Sequence, residues 1–246
     1  MIEQSVAIPT PDGTAEGTLF VPDSRQRYPG VLYCVDIIGI RAANLRMACR
    51  LADQGYAVLV PNLFYRTSKL PVFDFPPNFG DDRTTKRIGE LAAPLTPDAV
   101  ERDASAYVDF LTPSNGVGPG PLGVVGFCFS GAGAMRAAAA RPERIAAVAS
   151  FHGGRLCTDQ PTSPHRELPR IKARLYFGHA VNDKSIPAEQ IELFEDALKA
   201  WGGRYESETY EGALHGWTVP GGQAYNHPQA ERAFEKLTQL FGETLK

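Results

Sequence analysis

The chain has 246 residues, 43% of them hydrophobic and 22% charged, with a formal net charge of −3. That balance gives no electrostatic reason to expect nucleic acid or an anionic membrane surface as a partner. The length suffices for one large α/β core and no linker divides it, so a single domain over residues 1–246 is expected.

Met1–Pro9 has neither the basic region nor the continuous apolar region of a signal peptide. The longest apolar candidate, Ala132 to Ala140, carries Arg136 and falls well short of the ~18 residues that a membrane span needs. The four cysteines, at 34, 49, 128 and 157, show no CxxC spacing, which argues against structural zinc or a dithiol motif. Reduced thiols in the cytoplasm are therefore expected, with no metal, no cofactor and a monomeric chain.

Taken in chain order, Val6–Ile8 and Thr14–Val21 read as short strands around the turn Pro11-Asp12-Gly13. Gly30–Val35 is an apolar run suited to a central strand covered on both faces. A helix follows over residues 41–54, with Leu45, Ala48, Leu51 and Ala52 on one side and Gly55 as C-cap. Ala57–Val60 is the next strand. Residues 62–95 form a long excursion containing Pro71, Pro76, Pro77 and Pro94, with helix near its end; excursions of this kind often carry function.

Helical pattern resumes over 98–111, and a Gly/Pro-rich turn leads to the strand Leu122–Val125. The segment Gly126-Phe127-Cys128-Phe129-Ser130-Gly131 joins that strand to an Ala-rich helix ending near Ala140. Strands over 145–150, 171–177 and 204–210 alternate with helices over 187–201 and 229–241. Such alternation predicts a mainly parallel, doubly wound sheet.

A strand, G-x-C-x-S-G and a helix have the form of a nucleophile elbow. The tight turn lifts one side chain above the sheet edge and needs small residues two before and two after it, as Gly126 and Ser130 are. Gly131 and Gly133 would let the helix pack closely. A thiol at a helix N-terminus meets unpaired N–H groups and the positive end of the dipole, which favour the thiolate. Ser130 is an alternative nucleophile, two residues further into the helix.

The nucleophile needs a base and a carboxylate to orient it, in the chain order nucleophile, acid, histidine. Asp183 lies in the loop 178–183 after the strand 171–177, where ligand sites of open sheets occur. His215 lies in 211–217 after the strand ending at Tyr210. Asp159 and Glu211 are alternative acids, His179 is an alternative base, and His152 could line the site.

Together, Gly126–Gly131, the Asp183 loop and Ala213-Leu214-His215-Gly216-Trp217 resemble the dienelactone hydrolase family, as do the blocks 29–40 and 51–63. The resemblance implies an α/β-hydrolase fold and a hydrolase of cyclic enol esters with the triad Cys128-His215-Asp183 and no cofactor. It further implies an oxyanion hole from the N–H groups of Phe129 and Ile37. Asp36 stands where the family has a glutamate near the thiol. The arginine that dienelactone-cleaving members carry just after the histidine is missing from Trp217-Thr218-Val219. Arg83 or Arg87 of the excursion could replace it in holding a substrate carboxylate, beside Trp217. The expected substrate is a lactone or small activated ester. A broad small-ester or thioester hydrolase, or a non-catalytic thiol-sensing member of the fold, are the other readings.

Overall fold

The computed structural model describes residues 1–23 and 25–246. In chain order its elements are β1 (Ile2–Thr10), β2 (Gly13–Val21), β3 (Gly30–Cys34), α1 (Ala42–Ala52), β4 (Ala57–Pro61), α2 (Asp82–Ala92), α3 (Pro97–Leu111), β5 (Leu122–Phe127), α4 (Ser130–Ala140), β6 (Ile145–Phe151), β7 (Arg174–Ala180), α5 (Ala188–Trp201), β8 (Tyr205–Tyr210) and α6 (His227–Leu245), with a 3-10 helix at Pro164–Arg170. The eight strands form one sheet in the order β1-β2-β4-β3-β5-β6-β7-β8. β1 and β2 pair antiparallel, as do β2 and β4, and every later pairing is parallel.

The central strands β3, β4 and β5 are buried along their whole length because helices cover both faces of the sheet. Ala104, Tyr107, Ala134 and Phe194, from α3, α4 and α5, fill one face. Ala48, Leu51, Ala233, Leu237 and Phe241, from α1 and α6, fill the other. The excursion packs as a smaller cluster of Phe64, Val72, Phe73 and Leu91, into which Ile37 and Phe129 reach. Asp81 caps α2 by accepting the Thr84 N–H.

Both ends of one strand beside the site depart from the sequence reading. The strand expected over 171–177 starts at Arg174 instead, because the 3-10 helix closes with the Ile171 N–H on Leu168 O. It runs on to Ala180, because β8 continues to pair with it as far as Tyr210. Gly178, His179 and Ala180 are therefore strand residues, and the loop that holds Asp183 begins after them. At the N-terminus β1 is longer than expected, held by an unbroken register from Ile2↔Val21 to Thr10↔Gly13.

Candidate active site

The site lies at the C-terminal ends of the parallel strands. Cys128 follows β5 directly and has φ 59°, a left-handed conformation that non-glycine residues seldom adopt. The turn explains the residues around it. A Cβ at Gly126 would collide with the Ser130 carbonyl, and one at Gly131 with Ser150 Oγ and the Gly153 backbone. Gly133 is not needed for close packing, since a Cβ there would meet only Val100, at 3.6 Å. Ser130 is buried, its hydroxyl accepting the Phe127 N–H at 2.8 Å and lying 2.8 Å from Cys34 O. It fastens the elbow to β3, its hydroxyl engaged with backbone groups, while Cys128 beside it is half-buried.

His215 and Asp183 come together across the loops after β8 and β7. His215 Nδ1 is 2.7 Å from Asp183 Oδ2. The other carboxylate oxygen, Oδ1, accepts the Ser185 N–H at 2.8 Å, so the buried acid is oriented at both oxygens. Burial disfavours a charged His215 ring. Hydrogen bonds to Asp183 and Cys128, with the charges of both, outweigh it and push the pKa up to about 10. Burial likewise works against a charged Asp183, but its bonds to His215 and Ser185 bring its carboxyl below the ordinary value of 3.8. Asp183 takes Nδ1, which leaves Nε2 as the ring nitrogen without a partner in the Asp183 loop.

A cavity of about 530 Å³ opens beside Cys128, lined by Leu63, Leu95, Val100 and Phe129 among other side chains. Arg136 and Arg155 also line it. Arg136 is buried and bonded to Thr162 O and Glu101. Arg155 is exposed, and no ion pair forms to it among the described residues. No helix of the described residues is long and apolar enough to cross a membrane, and no group of three or more His, Cys, Asp or Glu among them is arranged to hold a metal ion.

The sequence model of the dienelactone hydrolase family matches residues 15–245. This chain belongs to the dienelactone hydrolase family. A candidate carboxymethylenebutenolidase of Synechocystis sp. is 28% identical, over 98% of this chain and 96% of its own length. Carboxymethylenebutenolidase of Rhodococcus opacus is 26% identical, over 83% of this chain and 76% of its own. A solved structure, a candidate dienelactone hydrolase from Klebsiella pneumoniae, superposes with TM-score 0.86 at 20% identity, covering 98% of each chain, and bears out the α/β-hydrolase fold. Like its relatives, this dienelactone hydrolase family member is a carboxylic ester hydrolase.

Several residues that the sequence brought forward have other surroundings here. Asp36 is held by both nitrogens of the Arg41 fork, at 2.7 and 2.8 Å, and accepts the Ile38 N–H at 3.0 Å. Its bonds thus go to its own loop, not to the thiol. Arg87 donates to Val72 O and Glu90, and Arg83 stacks over Phe75 and pairs with Asp74. Both line a separate surface groove and neither lines the Cys128 cavity, because α2 turns that face of the excursion outward. Trp217 is fully buried beneath the site, stacked on Tyr210 at 4.9 Å. His179 is turned across the sheet to Ser207. Ile37 and Phe129 both pack against the excursion cluster, and no acceptor takes either backbone N–H among the described residues.

Sequence reasoning did not single out Ser185, Thr218 or Arg155. Ser185 had a signal, since a residue two beyond an aspartate is where an Asx turn closes. Thr218 and Arg155 had none, because their roles depend on contacts between distant loops.

Proposed function

We propose that Cys128 is the nucleophile of this ester hydrolase, with His215 as general base and acid and Asp183 orienting it. The observation that carries this is the His215 imidazole bonded to Asp183 at 2.7 Å, its pKa raised by Asp183 and Cys128 together, while Cys128 itself lines an apolar cavity. His215 takes the thiol proton, and Cys128 Sγ attacks the carbonyl carbon of a lactone or activated ester. The developing oxyanion meets the N–H groups of Phe129 and Ile37. The C–O bond then breaks, leaving a thioester on Cys128 and an alkoxide or enolate that takes its proton from His215.

The pKa of His215 gives the second half its logic. Once the sulfur is acylated, the bond and charge that Cys128 lends to the ring are gone. The ring then holds its proton less tightly and can take one from water. Attack of that water on the thioester releases the acid and returns the thiolate.

The lining supports an uncharged acyl or ring portion against Leu63, Leu95, Val100 and Phe129. Arg155 supports a second reading, in which the substrate also bears a carboxylate. The test is turnover of dienelactone and of a neutral aryl ester of similar size, by the parent protein, Cys128→Ala and Arg155→Ala. The mechanism requires Cys128→Ala to be inactive on both. An Arg155→Ala defect confined to dienelactone supports the carboxylate site. Full activity of Cys128→Ala overturns the nucleophile assignment.

A further inference from the structure

Two non-glycine residues with left-handed backbone touch each other at this site: Cys128, with φ 59°, and His152, with φ 42°. Such conformations are unfavourable and persist where the surroundings over-determine them, which makes a bonded pair of them informative. His152 directly follows β6 and is 1% exposed. Its Nδ1 accepts the backbone N–H of Cys128 at 3.1 Å, and its Nε2 is 2.8 Å from Thr218 Oγ1. An Nδ1 that accepts carries no proton, so the ring is neutral and donates Nε2–H to the threonine hydroxyl. Burial first, and the neighbouring His215 charge second, hold His152 well below the ordinary imidazole pKa, against a smaller opposing pull from Asp183.

The partners matter more than the bonds. Cys128 N–H already reaches Phe151 O at 3.1 Å, so the His152 bond is not required to satisfy that amide. What it adds is a link. Thr218 stands three residues after His215, on the same turn. The His152 ring lies 5.0 Å from the His215 ring and 5.1 Å from the indole of Trp217, both edge-on. One neutral imidazole thus runs from the amide of Cys128 to the loop that carries His215.

We infer that His152 is a positioning residue, a neutral brace between the Cys128 amide and Thr218 that sets the separation of the Cys128 thiol from the His215 ring. The inference rests on Cys128 and His215 being nucleophile and base. The brace touches no substrate, and His152 does not line the cavity. Its loss should therefore act on turnover and leave KM alone.

The test measures kcat and KM on a neutral aryl ester, the alkylation rate of Cys128 by iodoacetamide, and the melting temperature. The proteins are the parent, His152→Ala, His152→Asn, Thr218→Val, the double variant His152→Ala/Thr218→Val, and Cys128→Ala. Loosening a thiol–imidazole contact through misplacement predicts a fall of about 100-fold in kcat for His152→Ala, with KM within about two-fold. Asparagine tolerates positive φ and places Oδ1 near the Nδ1 position, so His152→Asn should recover roughly 3- to 10-fold, the worth of one hydrogen bond. Thr218→Val should lower kcat in the parent and add nothing to His152→Ala.

The inference is overturned if His152→Ala keeps its kcat, or if the two substitutions multiply. It is also overturned if asparagine restores melting temperature but not kcat. Should His152→Ala fail to fold, an unchanged kcat in Thr218→Val overturns it and a lowered kcat at constant KM supports it. Cys128→Ala separates the two levels. If that protein is inactive while His152→Ala is fully active, only the brace fails. If it is active, the nucleophile reading fails with the brace.

Discussion

Replacing Asp183 by asparagine removes one charge and keeps the shape, and the hydrogen-bond geometry fixes how the new side chain sits. Oδ1 of Asp183 accepts the Ser185 N–H at 2.8 Å, so the asparagine carbonyl oxygen is drawn to that donor. The NH2 group then faces His215 Nδ1, where the carboxylate Oδ2 had accepted at 2.7 Å. Nδ1 is forced to accept, and the single ring proton moves to Nε2, facing Cys128. A ring in that tautomer cannot take the thiol proton. The lost charge-assisted bond is worth about 1.5–3 kcal/mol, or roughly 10- to 150-fold in rate. The wrong tautomer pushes the effect to the upper end, so kcat/KM for a neutral aryl ester should fall by about 100-fold or more.

Stability carries an independent signature. His215 is raised in the folded state, so its contribution is fully present below 6.5 and fades as pH rises through about 10. Asp183 is lowered, so its contribution is present above 3.8 and is lost as pH falls through its folded value. The melting-temperature gap between parent and Asp183→Asn should be widest between pH 3.8 and 6.5 and shrink towards pH 10. A variant with kcat/KM within about three-fold of the parent, or a gap that does not shrink, would overturn the role of Asp183 in fixing the His215 tautomer and charge.

Cys128→Ala should lower the pKa of His215 from about 10, since the thiol's hydrogen bond and charge are removed while Asp183 stays; titration of the ring protons by NMR measures it. Gly126→Ala puts a methyl group against the Ser130 carbonyl and the Gly131 nitrogen, both backbone, and should destabilise the protein by at least roughly 2–3 kcal/mol in denaturant unfolding. Ser130→Ala leaves the Phe127 N–H and Cys34 O without the hydroxyl that joins them, costing about 1–3 kcal/mol. The folded fraction of Ser130→Ala should still turn over ester, and complete inactivity in protein that melts normally would return Ser130 to consideration as nucleophile.

The alternating architecture, the central strands and the place of the elbow are all legible in the amino-acid order. They have local causes: continuous apolar runs at 30–34, 57–61 and 122–127, and small residues at 126, 130 and 131 where backbone must pass close to backbone. The order of Cys128, Asp183 and His215 was legible for a related reason, since a parallel sheet delivers each strand's following loop to the same edge. The limits of β7 were not, because they depend on a 3-10 helix before the strand and on pairing with β8 beyond it.

What each polar side chain meets was settled by the assembled fold. It gave Asp36 to Arg41, turned Arg83 and Arg87 to another surface, buried Trp217 under the site and set His152 between Cys128 and Thr218. A hydrophobic run declares its burial along the chain, but a hydrogen bond depends on angles and distances between segments far apart in it. The charge on His215 belongs to this second kind, because burial, Asp183 and Cys128 act on the ring together only once three loops have met.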